Sequence, residues 1–231
     1  MKGFADGTAS VIYTVEDPGS LLLGNQAGTI MFAKFDATGA IIPGTQLVVD
    51  RGHVWSSAWN EADQCFYLIY SFKPGVGDVI GKVDNQGNLV DYQTIPTNTF
   101  VQIAANANGV FLGGTVQTAL IAEGYSNLHT QIWSKTYPVP PTSNDVNMPF
   151  GFDQAFSASP GVLYMGALLN VMNGPQTWVI LKRDTASGAI DGINYPGEEV
   201  TNFVTDTAEN LYGFKKTSKK LFRLNADGTA G

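Results

Sequence analysis

The sequence predicts an all-β chain, a five-bladed β-propeller of four-stranded antiparallel blades with the last blade closed by the N-terminal strand. Three observations carry this: a recurring turn phrase, a recurring apolar run before it, and 26 glycines and 11 prolines scattered through 231 residues. The turn phrase reads Phe32-Ala33-Lys34-Phe35-Asp36-Ala37-Thr38-Gly39, and then Ile80-Gly81-Lys82-Val83-Asp84-Asn85-Gln86-Gly87. It returns with one extra residue as Leu181-Lys182-Arg183-Asp184-Thr185-Ala186-Ser187-Gly188, and last as Phe222-Arg223-Leu224-Asn225-Ala226-Asp227-Gly228. Its glycines stand 48, 101 and 40 residues apart, so the middle gap spans two periods and a degenerate copy is expected near Leu120 to Leu128.

Each copy reads as a strand entering a tight turn. Asp or Asn opens the turn by accepting backbone N–H groups ahead of it, and Gly supplies the positive φ. The apolar run occurs five times: Ser20–Gly24, Cys65–Phe72, Val110–Gly114, Val162–Gly166 and Leu211–Phe214. Another strand precedes each run, at Ala9–Val15, His53–Trp59, Phe100–Ala105, Phe150–Phe156 and Asn202–Thr207. The middle strands are apolar at neighbouring as well as alternate positions, so both faces are buried. The last unit stops short of a fourth strand, which Met1–Asp6 is expected to supply. The blades then run 9–50, 51–98, 99–145, 146–200, and 201–231 plus 1–8, in a single domain. A solenoid repeat is usually shorter and needs capping units, and a sandwich would not show one phrase at this period.

Ala33-Lys34-Phe35-Asp36-Ala37-Thr38-Gly39-Ala40-Ile41-Ile42 and Gly81-Lys82-Val83-Asp84-Asn85-Gln86-Gly87-Asn88-Leu89-Val90 resemble the hallmark of bacterial β-propeller repeats of the SBBP class. The tail Phe222–Thr229 is similar to the delta-60 type. The resemblance implies a fold and no activity, because such repeats sit in varied surface and binding proteins. The chain departs from WD40 repeats: Gly52-His53 is present, but no Trp-Asp pair closes a unit.

Composition narrows the function. Net charge is −7 with no basic stripe, which disfavours nucleic-acid phosphate as a partner. The longest basic cluster, Lys215-Lys216 with Lys219-Lys220, reads as a solvated hairpin that discourages edge pairing. Charged residues make up 14%, against about 25% in an ordinary soluble protein, so neutral polar groups must cover the surface. No apolar stretch approaches the ~20 residues of a membrane helix, and the N-terminus carries no apolar signal-peptide core. No Asn-x-Ser/Thr sequon occurs. The single cysteine, Cys65, excludes an internal disulfide and a Cys-based zinc site, and its apolar neighbours mark it as a buried small hydrophobe.

No catalytic motif survives inspection. Gly75–Lys82 imitates a phosphate loop, but Val76 and Val83 stand where Gly and Ser or Thr are required. There is no Gly-x-Ser-x-Gly. The two histidines, His53 and His129, fall in different repeats, so no metal cluster or cofactor is expected. A glycosidase would need two carboxylates across the scissile bond; Asp153 and Asp206, on inner strands, with Asp6 near the closure, are the candidates. For binding, the candidates are Arg51, His53, Trp55 and Trp59 near one inter-blade connection, with Asp153. Trp stacks on sugar rings, and Arg or His donates to hydroxyls and carboxylates; against this, Trp55 or Trp59 packs between blades. The long loops Tyr137–Met148, Phe72–Asp78 and Asn170–Gln176 share the proposed binding face.

The expected function is a non-enzymatic ligand-binding or attachment module of a virion or cell surface, recognising a glycan or a protein partner. The alternatives are a carbohydrate enzyme and a structural scaffold domain.

Overall fold

Among the described residues there are twenty strands and no helix. The computed structural model describes residues 1–17, 28–73, 77–95, 99–116, 119–138, 143–147, 156–171 and 177–231. Five antiparallel sheets follow one another along the sequence. The first holds β1 (Lys2–Gly3), β2 (Ala9–Glu16), β3 (Gly28–Phe35) and β4 (Leu47–Arg51). The second holds β5 (His53–Asn60), β6 (Cys65–Lys73), β7 (Gly77–Asp84) and β8 (Leu89–Ile95). The third holds β9 (Phe100–Asn106), β10 (Gly109–Val116), β11 (Ala119–Asn127) and β12 (Thr130–Pro138). In the fourth, β13 (Ser143–Asn147) and β14 (Phe156–Ala158) pair with opposite ends of β15 (Val162–Val171), followed by β16 (Thr177–Asp184) and β17 (Ile190–Asn194). The fifth holds β18 (Val200–Thr205), β19 (Leu211–Lys215) and β20 (Lys220–Leu224).

The chain divides into two compact units, residues 1–98 with the first two sheets and 99–231 with the other three. In the first unit, Ile30, Phe32, Phe66, Leu68 and Tyr70 pack between the sheets. In the second, one cluster joins Phe111, Leu120 and Trp133 to Phe156, Leu163 and Leu181. Another joins Tyr164, Trp178 and Ile180 to Val200, Leu211 and Phe222. The two clusters draw on alternate residues of β15 and β16, so each face of the fourth sheet is buried against a different neighbour. Cys65 is buried as expected, and burial pushes its thiol pKa up.

The turn phrase does what its chemistry predicts. Asp84 accepts the N–H groups of Gln86 and Asn88, each at 2.9 Å, and the Asn88 amide at 2.9 Å. Gly87 adopts φ +91°. A Cβ there would also run into the Phe32 ring of the preceding sheet, so this glycine is required by close approach as well as by its turn. Asp36, Asp184 and Asp206 cap their turns in the same manner.

Burial alone would raise the Asp84 pKa, but the bonds from Asn88 and Gln86 outweigh it and hold the pKa below 3.8. A folded pKa below the unfolded one means that the contribution is present above about pH 4 and is lost as pH falls through the folded value. Asp84→Ala is therefore expected to cost about 1–2 kcal/mol at pH 7 by urea denaturation. The gap between variant and parent should close towards pH 2. A gap that persists at pH 2 would place the effect elsewhere than in the carboxylate.

Two expectations need correction, and a third, the degenerate copy near Leu120 to Leu128, is met. The N-terminal strand does not complete the last blade: Lys2 pairs with Ser10 and Gly3 with Ala9 in the first sheet. The Phe4 ring meets Trp59 edge-on at 5.7 Å, and Lys2 reaches Glu61 at 2.6 Å, tying this segment to the second sheet. The Asp6-Gly7-Thr8 turn is the reason, since a hairpin forces the residues before it onto the strand after it. Ala9–Glu16 is accordingly the second strand of its sheet, paired directly with β3; the apolar run Ser20–Gly24 lies outside the described residues. The degenerate third copy does exist, as β11 and its turn. It was hidden because Asn127-Leu128-His129 turns without an Asp–Gly phrase.

Candidate functional site

The sequence candidates meet where the first sheet hands the chain to the second. Gly52, at φ +145°, makes the corner, and its N–H donates to the Gly28 carbonyl at 2.9 Å. The corner brings the starts of β5 and β3 beside the ends of β2 and β4. The Val54 N–H then donates to Thr14 Oγ1 at 3.0 Å, locking β5 against β2.

Two charged pairs stand on this corner. His53 Nδ1 lies 2.6 Å from Glu16 Oε1, with each side chain about one-third exposed. Arg51 Nη2 lies 3.4 Å from Asp17 Oδ2, and the Arg51 side chain is largely open to solvent. Trp55 completes the group, its ring 5.0 Å from the imidazole at an interplanar angle of 66°. Beneath them, the buried Tyr70 hydroxyl donates to Asp50 Oδ2 at 2.7 Å. Burial first, then the Asp50 contacts, push the Tyr70 phenol far above its ordinary pKa, so it remains a donor.

Trp55 sits on a β-bulge. Val54 pairs with Tyr70 and Ser56 with Ile69, leaving the tryptophan between them unpaired. A bulge kinks the strand and re-aims the side chain it carries. The first strands of the third and fifth sheets shift register too, at Val101 and at Asn202-Phe203. A period-2 reading cannot find such shifts, because the residues look like ordinary strand.

Arg51, His53 and Trp55 are thus assembled together, and sequence reasoning missed their acidic partners Glu16 and Asp17. Only the β2–β3 pairing could have revealed these. Trp59 stands apart, at the far end of β5. It packs on Phe4 and on Phe66 (4.8 Å), and its indole N–H donates to Glu61 at 2.7 Å. Phe4 ties it to the N-terminal turn. Asp153 lies outside the described residues.

The paired-carboxylate reading loses Asp206. It is not an inner-strand residue but a turn cap, accepting from the Ala208 and Asn210 backbone, the Asn210 amide and the Tyr212 hydroxyl. The Asn210 amide leads these bonds in holding its carboxyl below the usual range, the opposite of what a general acid needs. Asp6 is likewise a turn cap, bonded to Thr8. Ser71 lies directly across from His53, but its buried hydroxyl makes no hydrogen bond, so Glu16, His53 and Ser71 do not form a nucleophilic relay. Among the described residues no three His, Cys, Asp or Glu side chains gather as a metal would require.

Five successive antiparallel sheets of this kind define a β-propeller repeat protein, and solved structures agree. No family model matches the sequence, and no curated protein does. The chain is similar in fold to TolB from Acinetobacter baumannii, with 11% identity, a TM-score of 0.57, and coverage of 98% of this chain and 53% of that one. It is also similar to a protein assigned as a 6-phosphogluconolactonase from Bacteroides uniformis, with 13% identity, a TM-score of 0.58, and coverage of 99% and 67%. The chain spans about half the length of the TolB it matches. At these identities the likeness establishes the β-propeller fold alone.

Proposed function

We propose that this chain is a non-enzymatic ligand-binding or attachment β-propeller, built on repeats of the SBBP and delta-60 kind and carried on a virion or cell surface. Its ligand is a glycan or a protein partner, and Trp55 is the anchor. The observation that carries this reading is the half-buried Trp55, re-aimed by a bulge and flanked by the Glu16–His53 and Asp17–Arg51 pairs. A flat ring stacks on the apolar face of a sugar or peptide, and the neighbouring charged groups offer donors and acceptors to hydroxyls or amides. The low charge content supports a surface made for neutral polar contacts. The carbohydrate-enzyme alternative is weakened because Asp206 and Asp6 are committed to turns.

Glycan-array screening followed by titration of the best ligand tests the reading. Trp55→Ala is expected to weaken binding about 10- to 100-fold, the loss typical of an aromatic anchor, with His53→Ala close behind. Release of sugar product would favour the enzyme instead. Absence of any ligand, with incorporation into a particle, would favour a scaffold role.

A further inference from the structure

The turn phrase puts an apolar residue just before its Asp or Asn in three copies, as Phe35, Val83 and Leu224. The copy in the fourth sheet puts Arg183 there. Leu181, two residues earlier on the same face of β16, belongs to the cluster that holds Trp133 of β12. Arg183 therefore faces the third sheet, and it is buried. A cation in a place that the repeat fills with hydrocarbon costs stability, and a buried donor without an acceptor calls for one.

What the guanidinium lacks has a definite shape. Nη1, on the Cδ side of the group, donates to the Gly188 carbonyl at 2.8 Å. Nε and Nη2 have no partner among the described residues. Those two nitrogens share one edge of the planar group, and their N–H bonds point the same way. This is an edge with which arginine grips two oxygens of a carboxylate or a phosphate at once. A whole bidentate edge is thus vacant.

The groups around it are cationic or neutral donors. The Gly188 turn is seated on β12: a Cβ there would run into the Trp133 ring and the Lys135 stem, and the Trp133 indole N–H donates to the Thr185 carbonyl at 2.8 Å. Lys135 therefore stands beside the glycine whose carbonyl holds Arg183. Tyr137 follows two residues on along β12. Its phenol pKa is raised by burial first and then by Tyr195, while Arg183 pulls it down, so the three side chains lie within electrostatic reach of one another. No carboxylate among the described residues pairs with Arg183 or Lys135. Lys135 and Tyr195 are exposed, so the rim is made of side chains that change rotamer readily.

We propose that the seam between β12 and β16 is a binding site for a small oxyanion, a carboxylate or a phosphate, whose two oxygens accept from Nε and Nη2 of Arg183 while Lys135 faces its charge. The anion enters past Tyr195 and Tyr137, whose hydroxyls are further donors. Its binding offsets the desolvation penalty that Arg183 otherwise imposes, which is a reason to keep arginine where the other copies have hydrocarbon. The net charge of −7 repels anions in general, so the affinity has to come from these placed donors.

Inorganic phosphate and sodium glucuronate are the probes. Each is titrated into the intact chain at constant ionic strength, with the Arg183 Nε–H resonance followed by heteronuclear NMR. A saturable shift of that resonance is expected. Arg183→Lys keeps the charge but loses the edge, and should weaken binding at least about tenfold. Arg183→Met should abolish it. Urea midpoints give a second readout: the stability advantage of Arg183→Met in anion-free buffer should shrink as phosphate rises, because only the parent takes up the anion. The general stabilising action of phosphate is common to both proteins and cancels. Tighter glucuronate would identify a carboxylate as the natural group, and tighter phosphate a phosphoryl group. Ligand binding at Trp55 should be unchanged in Arg183→Met, so the two proposals fail separately. Three results would overturn the inference. One is a stationary Nε–H resonance at tens of millimolar of either anion. Another is equal binding by the methionine variant, which would place the anion on exposed lysines. The last is undiminished binding by Arg183→Lys, which would show a simple charge instead of a fork.

Discussion

Replacing Arg183 with methionine is expected to stabilise the protein by about 1–3 kcal/mol at neutral pH. Arg183 lies in β16 and is only 1% exposed. Nη1 donates to the Gly188 carbonyl at 2.8 Å, while Nε and Nη2 have no partner among the described residues. Desolvating a guanidinium with one of its three nitrogens bonded is a net cost. Burial lowers its pKa to about 10, with Tyr137 pulling weakly the other way.

The sign follows. The unfolded chain holds this proton more tightly than the folded chain, so the cost is fully present below pH 10. It fades only as pH rises from there towards the ordinary guanidinium value. The repeat supports the same conclusion, because Val83 and Leu224 fill the corresponding place in β7 and β20, and both are buried. Methionine matches the volume of the stem, and the bond lost to the Gly188 carbonyl is the smaller term against a desolvated charge. Urea midpoints for the two proteins, with unchanged slopes, are the measurement. A loss of about 3 kcal/mol would show instead that the guanidinium is fully bonded in the folded protein.

Gly52→Ala should act in the opposite direction, costing about 2–4 kcal/mol. The backbone at φ +145° is one that side chains rarely adopt, and the new Cβ would collide with the Ser71 carbonyl. That obstacle is backbone, so no rotamer relieves it. β5 must part from β6 at the His53–Ser71 pair, and the Glu16–His53 contact opens with it. Ligand binding at Trp55 should therefore fall together with stability. Gly39→Ala is the control: its φ is also positive, at +83°, but the space around the added carbon is open, and it should cost only about 1 kcal/mol. Equal losses at the two glycines would refute the steric argument.

Turn chemistry made most of the fold legible. Asp36, Asp84 and Asp184 with their glycines could be placed from the sequence, because an Asx turn is decided by groups within about four residues of one another. The third copy could only be bracketed, near Leu120 to Leu128, for the same reason: Asn127-Leu128-His129 makes a hairpin without the glycine that would announce it. Half of the candidate site was legible as well, since Arg51, His53 and Trp55 lie within five residues. The other half, Glu16 and Asp17, was not, and Trp59 was grouped with them although it serves the Phe4 contact.

What the sequence by itself determined is the local grammar: where each hairpin turns, which runs are buried on both faces, and how many times the unit repeats. Only the tertiary structure decided the partners: Lys2–Gly3 against β2, Glu16 against His53, and Phe4 against Trp59. The physical reason is range. A turn is set by hydrogen bonds among neighbours, whereas pairing is set by competition among distant strands for the same edge, and every strand of this chain offers an edge of nearly the same chemistry.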